Sequence, residues 1–145
     1  MYRFSYTIAL IALTICLGFN DQNSLLACTG IMLTAKDNSF VHGRTLEFGV
    51  QLDISLAVIP KNYEFQGSTP LGAGLSYKSK YAVLGAIAFN NPAILDGINE
   101  KGLSVGTFYF PGFAKYKEVT KENQKNSLSP TDFPNWIVTQ FETVE

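Results

Sequence analysis

Leu26-Ala27-Cys28-Thr29-Gly30-Ile31 is the stretch on which the reading of this 145-residue chain turns. The residues before Cys28 have the make-up of a segment to be removed, and those after it have the make-up of strands. Cleavage after Ala27 would make Cys28 the first residue, with its own α-amino group a few ångströms from its thiol. Typical pKa values are about 7.7–8.0 for an α-amine and about 8.5 for a thiol. A nucleophile and its general base would then share one residue, a recognised way of activating a weak nucleophile.

Residues 1–27 place Arg3 ahead of an apolar core at residues 7–19. That core has the length found in signal peptides and falls short of the roughly 20 apolar residues a membrane-spanning helix needs. Five polar residues, Asn20-Asp21-Gln22-Asn23-Ser24, precede Leu25-Leu26-Ala27, and small Ala27 sits at the cut. The segment predicts a signal peptide over 1–27, a mature domain over 28–145, periplasmic or secreted localisation, and no membrane span after cleavage. An uncleaved anchor is one alternative. A lipoprotein signal is another, since Leu25-Leu26-Ala27-Cys28 also fits a box whose cysteine becomes acylated, giving a lipid-anchored envelope binding protein. The polar interruption and the strand that starts almost at once after Cys28 speak against it.

Removing the segment takes away one basic residue, Arg3, and one acidic, Asp21, so the formal net charge stays at −1. No basic patch stands out, and nucleic acid is not an expected partner. Cys16 also leaves, so the mature chain carries one thiol and no internal disulfide. A lone thiol in an oxidising compartment is either functional or modified. Residues 28–145 suffice for one modest core.

Ile31-Met32-Leu33-Thr34-Ala35 and Phe40-Val41-His42-Gly43-Arg44-Thr45-Leu46 are β-branched, apolar runs separated by the turn formers Lys36-Asp37-Asn38-Ser39. They predict a hairpin that returns Arg44 toward Cys28, with Arg44 and His42 on one face. A cation there would favour the thiolate; a surface charge is the plainer alternative. His42 is the only histidine, so a multi-histidine metal site is excluded and a structural role is expected for it. No metal or organic cofactor is called for.

A strand is expected over 52–60, stopped by Pro60. Residues 61–79, polar and rich in glycine, read as an irregular connection; with no Gly-Lys-Ser/Thr among them, they do not form a phosphate loop. The almost continuous apolar run over 80–89 predicts a strand buried on both faces. Turns are expected at Asn90-Asn91-Pro92 and within 96–102, with a further strand over 103–110 ended by Pro111-Gly112. Lys115, Lys117, Lys121 and Lys125, mixed with acids, mark a solvated segment. Ser129-Pro130-Thr131-Asp132 offers caps for a helix from Phe133 to the end of the sequence, whose spacing puts Phe133, Ile137, Phe141 and Val144 on one face.

Cys28-Thr29-Gly30, Gly43-Arg44-Thr45-Leu46-Glu47, Lys80-Tyr81-Ala82-Val83-Leu84-Gly85 and Asp96-Gly97-Ile98-Asn99-Glu100-Lys101-Gly102-Leu103, with Phe110-Pro111-Gly112 after them, closely resemble the choloylglycine hydrolase and penicillin V acylase family. The resemblance implies an α+β fold, the N-terminal nucleophile hydrolase αββα sandwich, here as an N-terminal part made mostly of antiparallel strands with a C-terminal helix. It implies hydrolysis of linear amide C–N bonds in a small-molecule substrate such as penicillin V, a conjugated bile acid or an N-acyl homoserine lactone. Cys28 matches the nucleophile and Arg44 the arginine beside its thiol. Glu47 stands where the family has an aspartate that helps hold the free amine, and its extra methylene changes that carboxylate's reach. Tyr109 matches the oxyanion-hole position, contributing its backbone N–H, and its identity resembles the acylase branch. The family's downstream asparagine and second arginine have no counterpart here, so the sequence reads as truncated and inactive alone, while a full-length form could be homo-oligomeric. A papain-like hydrolase using Cys28, His42 and Asn99 is the enzyme rival, lacking the local signature of such a cysteine.

Overall fold

The computed structural model describes residues 28–88, 91–108 and 112–145, so the expected signal peptide lies outside the described residues, as does Tyr109. Among the described residues, eight strands form three antiparallel sheets. The hairpin of β1 (Gly30–Thr34) and β2 (Phe40–Arg44) is one. The second is a four-stranded sheet in the order β3-β6-β7-β8, from β3 (Ile54–Ile59), β6 (Val83–Ala88), β7 (Ile94–Asn99) and β8 (Ser104–Gly106). The third is the hairpin of β4 (Glu64–Thr69) and β5 (Gly72–Lys78). An α-helix, α1 (Phe133–Gln140), comes after a 3-10 turn at Gln124–Asn126.

The first hairpin forms as its sequence predicts. Asn38 takes a left-handed conformation (φ 65°), which asparagine tolerates better than most residues. The Asp37 carboxylate accepts bonds from the Ser39 hydroxyl (2.7 Å) and N–H (3.0 Å), closing the turn. Gly30 then pairs with Arg44, so the two ends of the hairpin meet at the residues flanking Cys28.

Several expectations are corrected. Residues 61–79 are a hairpin, because Tyr63, Phe65 and Tyr77 supply an aromatic ladder: the Phe65 and Tyr77 rings stack at 5.0 Å, and Tyr63 meets Phe65 edge-on at 4.9 Å. The glycines that suggested a loop are sites of close approach, since a Cβ at Gly74 would collide with the Ser127 carbonyl and one at Gly67 with Leu128. The strand β6 is not buried on both faces along its length: Val83 and Gly85 are inside, whereas on the other face Leu84 is 49% exposed and burial is reached only at Ala88. The turn expected within 96–102 forms after β7, where the Gly102 N–H donates to the Asn99 carbonyl (2.9 Å), but the strand expected over 103–110 is confined, among the described residues, to β8. Finally, α1 ends at Gln140, with Phe141 already extended (φ −116°, ψ 153°), and it turns a different face inward.

That inward face is Pro134, Asn135, Val138 and Thr139, while Phe133, Phe141 and Val144 are exposed. Polar side chains decide the rotation. The Asn135 amide accepts from the Ile94 N–H (2.8 Å) and donates to the Pro92 carbonyl (2.9 Å). Asn99 donates to the Val138 (2.9 Å) and Phe141 (2.7 Å) carbonyls, and its Oδ1 accepts from the Lys101 (2.9 Å) and Leu103 (3.0 Å) N–H groups. Burying these amides is tolerable only because they are bonded. Asp132, expected as a cap, makes no side-chain cap bond; its carboxylate accepts instead from Ser68 N–H, Ser68 Oγ and Ser129 Oγ, each at 2.7 Å. Val138 thereby joins Ile59, Val83 and Ile94 in the core, with Phe65, Ile87 and Val105 packed against them.

Candidate active site

Cys28 sits two residues beyond the last hairpin pair, Gly30 and Arg44. The ladder is prolonged to it by the Thr45 N–H donating to the Thr29 carbonyl (2.9 Å) and the Thr29 N–H donating to Thr45 Oγ1 (3.1 Å). The half-buried thiol faces the Glu47 carbonyl at 3.6 Å. Thr45, which by pattern alone is strand filler, is thus what fixes the backbone beside Cys28.

Arg44 comes to the same place, as the hairpin predicts, and it is no surface charge: its side chain is only 8% exposed. Its Nη1 donates to Asp96 Oδ2 (3.1 Å) and to the Thr107 carbonyl (2.6 Å), and its Nε donates to the Thr45 carbonyl (3.2 Å). The guanidinium also lies over the Phe108 ring, 4.6 Å from the centroid, an attractive cation–π arrangement. Phe108 can reach it because Gly30 has no side chain; a Cβ there would stand 2.7 Å from the ring. Among the described residues, Arg44 Nη2 and Asp96 Oδ1 are buried without a hydrogen-bond partner.

Two recesses meet at Cys28. One, about 190 Å³, is walled by Leu46, Phe48, Leu52, Ala88, Ala93 and Leu95, with Arg44, Asn91 and Thr107 as its polar members. The other, about 550 Å³ and more open, runs past Gly30, Ile31, Met32, His42, Gly106 and Phe108. A thiol at the junction, a fixed cation and an apolar wall are the parts needed to seat an acyl group and attack its carbonyl.

The sequence-predicted residues divide clearly. Cys28 and Arg44 are brought together. Glu47 joins them through its main-chain carbonyl, while its exposed carboxylate makes no hydrogen bond or ion pair among the described residues. Tyr109 lies outside the described residues, one position after Phe108, which does reach the site. His42 lines the open recess, on the face of β2 shared with Arg44, but the Asn99 side chain is spent on anchoring α1 and on closing the turn at Lys101 and Leu103. A Cys28, His42 and Asn99 triad is therefore not assembled. Asp96 and Phe108 escape a reading of the sequence; the available signal was a charged Asp96 directly after Ile94-Leu95, since an acid in such a strand needs a cation.

The family model for linear amide C–N hydrolases, choloylglycine hydrolase family, matches residues 28–145. A bile salt hydrolase/transferase from Clostridium perfringens is 31% identical over 120 residues, covering 81% of this chain and 35% of the relative. One from Bifidobacterium longum is 27% identical over 119 residues, covering 81% and 37%. Among solved structures, a mutant conjugated bile acid hydrolase from Clostridium perfringens superposes with a TM-score of 0.61 at 27% identity, over 81% of this chain and 35% of that one. The chain thus spans about a third of the length of the curated relatives it matches.

Proposed function

Because this chain belongs to the choloylglycine hydrolase family of linear amide C–N hydrolases, we propose that it carries the nucleophile of such an enzyme, with Cys28 attacking the amide after residues 1–27 are removed on export. The observation that carries this reading is the placement of the Cys28 thiol at the mouth of an apolar recess whose wall contains the clamped Arg44.

The free α-amine of Cys28 takes the thiol proton and Sγ adds to the carbonyl carbon. The oxyanion is met by the Tyr109 N–H, the α-ammonium returns its proton to the departing amine product, and water, deprotonated by the freed α-amine, then cleaves the thioester to release the acid and regenerate the thiol. Arg44 supplies positive charge where the thiolate and oxyanion develop. The side chains of Leu46, Phe48, Leu52 and Leu95 favour an apolar acyl group. Conjugated bile acids fit that description and are the compounds named for the relatives; penicillin V and N-acyl homoserine lactones belong to the same chemical class.

The 145-residue chain alone is expected to hydrolyse none of these measurably, because losing even one oxyanion-hole donor typically costs about 10²–10³ in rate and the family's downstream donor and second arginine are not in it. The test is therefore made on an enzyme extended beyond Glu145 to the length of the relatives. Incubated with a conjugated bile salt and quenched, it should carry the acyl mass on the peptide that begins at Cys28. An acyl group on another residue, or turnover undiminished in Cys28→Ala, would overturn the proposal.

A further inference from the structure

Asp96 lies on β7, a different element from the Cys28 and Arg44 hairpin, and its carboxylate is the only acidic group bonded to Arg44 among the described residues. We infer that Asp96 is a positioning residue: it holds the Arg44 guanidinium at the Cys28 recess and acts on the thiol's reactions only through it. The inference rests on the reading of Cys28 and Arg44 as parts of one site.

Arg44 is restrained at three points besides Asp96: the Thr107 carbonyl, the Thr45 carbonyl and the Phe108 ring. Two of these are carbonyls and one is an aromatic face, so only Asp96 contributes a full opposite charge. Its geometry is constrained in turn by Gly106, where an added Cβ would stand 3.0 Å from Asp96 Oδ1, 3.1 Å from His42 Cε1 and 3.4 Å from Phe108. A side chain at position 106 would push against all three. Among the described residues, the charged or titratable groups around the thiol are His42 and Arg44 from β2, Glu47 from the segment after it, and Asp96 from β7.

A carboxylate beside a cation has two separable effects. As a charge it cancels part of the positive field at the recess; as an acceptor it keeps the cation there. Deleting it changes the field in opposite directions in the two cases, and a charged reagent can read the sign.

The experiment compares alkylation of Cys28 by iodoacetate, an anion, with alkylation by neutral iodoacetamide, using mass spectrometry on the peptide that carries Cys28 in the full chain. It needs no amide hydrolysis, so it is independent of whether the chain turns over a substrate. Arg44→Ala should lower the iodoacetate-to-iodoacetamide rate ratio several-fold. Asp96→Ala should lower it by a similar factor, with no further fall in the double variant, the non-additivity of two residues acting as one unit. Asp96→Asn, which retains an acceptor for Nη1, should hold the ratio at or above the parent value. Asp96→Leu keeps the volume without an acceptor and replaces Asp96→Ala should that variant not fold. A ratio that rises in Asp96→Ala or Asp96→Leu as it does in Asp96→Asn would make Asp96 a charge and no positioner. An unchanged ratio in Arg44→Ala would equally overturn the inference.

Discussion

The two faces of the β3-β6-β7-β8 sheet are built on different principles. One face is covered by α1 and the aromatic β4-β5 hairpin, which enclose Ile59, Val83, Ile94 and Val138 and are latched by the amides of Asn99 and Asn135. The opposite face receives the Cys28 hairpin through a few long-range contacts centred on Arg44 and Asp96. Beside that contact, cross-strand neighbours Val58, Leu84 and Ile98 form an apolar row with Leu56 close by, and Leu56 and Val58 are 77% and 74% exposed. Packing is concentrated on the first face and the candidate site lies on the second. The two-sheet sandwich implied by the family resemblance sets its second sheet against a face of this kind.

The comparison predicts a double dissociation. In an enzyme extended to the length of the relatives, Cys28→Ala should abolish bile salt hydrolysis with no change in the urea midpoint, whereas His42→Ala should leave most of the activity because the proposed base is the α-amine. A large loss with His42→Ala at unchanged stability would restore the thiol–histidine alternative. On the other face, Asn99→Ala should cost about 2–3 kcal/mol by urea denaturation, since it strands the buried Val138 carbonyl and Leu103 N–H and removes two part-buried bonds besides. A cost below about 1 kcal/mol would show that the latch is dispensable.

Smaller effects are expected where neither principle applies. Leu84→Lys, in the exposed row, should change stability by no more than about 0.5 kcal/mol while reducing aggregation of the 145-residue chain, measured by light scattering. A cooperative loss of folding would mean the row is packed in solution. The weakest effect concerns Glu100, whose carboxyl is held below its usual range first by the Lys61 ammonium (2.8 Å) and then by the Ala82 N–H (3.2 Å). A depressed carboxyl stabilises the fold above its unfolded pKa, about 4.3, and that contribution fades as pH falls through the folded value. Glu100→Gln should therefore slightly flatten the decline in Tm below about pH 4; an equally steep decline would remove the pair from the account.

Much of this was legible because it was local or carried by motif. The Lys36-Asp37-Asn38-Ser39 turn dictates the first hairpin, the hairpin dictates that Arg44 returns to Cys28, and the motif set identifies the fold class that the structural relative shares. What stayed hidden depends on distant partners. Glycine at 67 and 74 reads as loop until Leu128 and Ser127 are seen packed against it. The rotation of α1 is decided by Asn135 and Asn99, whose amides carry no apolar signal, and helical spacing alone favoured the aromatic face instead. Asp96 is invisible as a site residue until β7 is placed beside the Arg44 side chain.

The central claim is that Cys28 becomes the unmodified first residue of the mature chain. Intact mass and N-terminal sequencing of the exported product test it directly: the mass should equal that of unmodified residues 28–145, and the sequence should begin Cys-Thr-Gly. A chain that retains residues 1–27, or one bearing a diacylglyceryl or acyl adduct at Cys28, would contradict it.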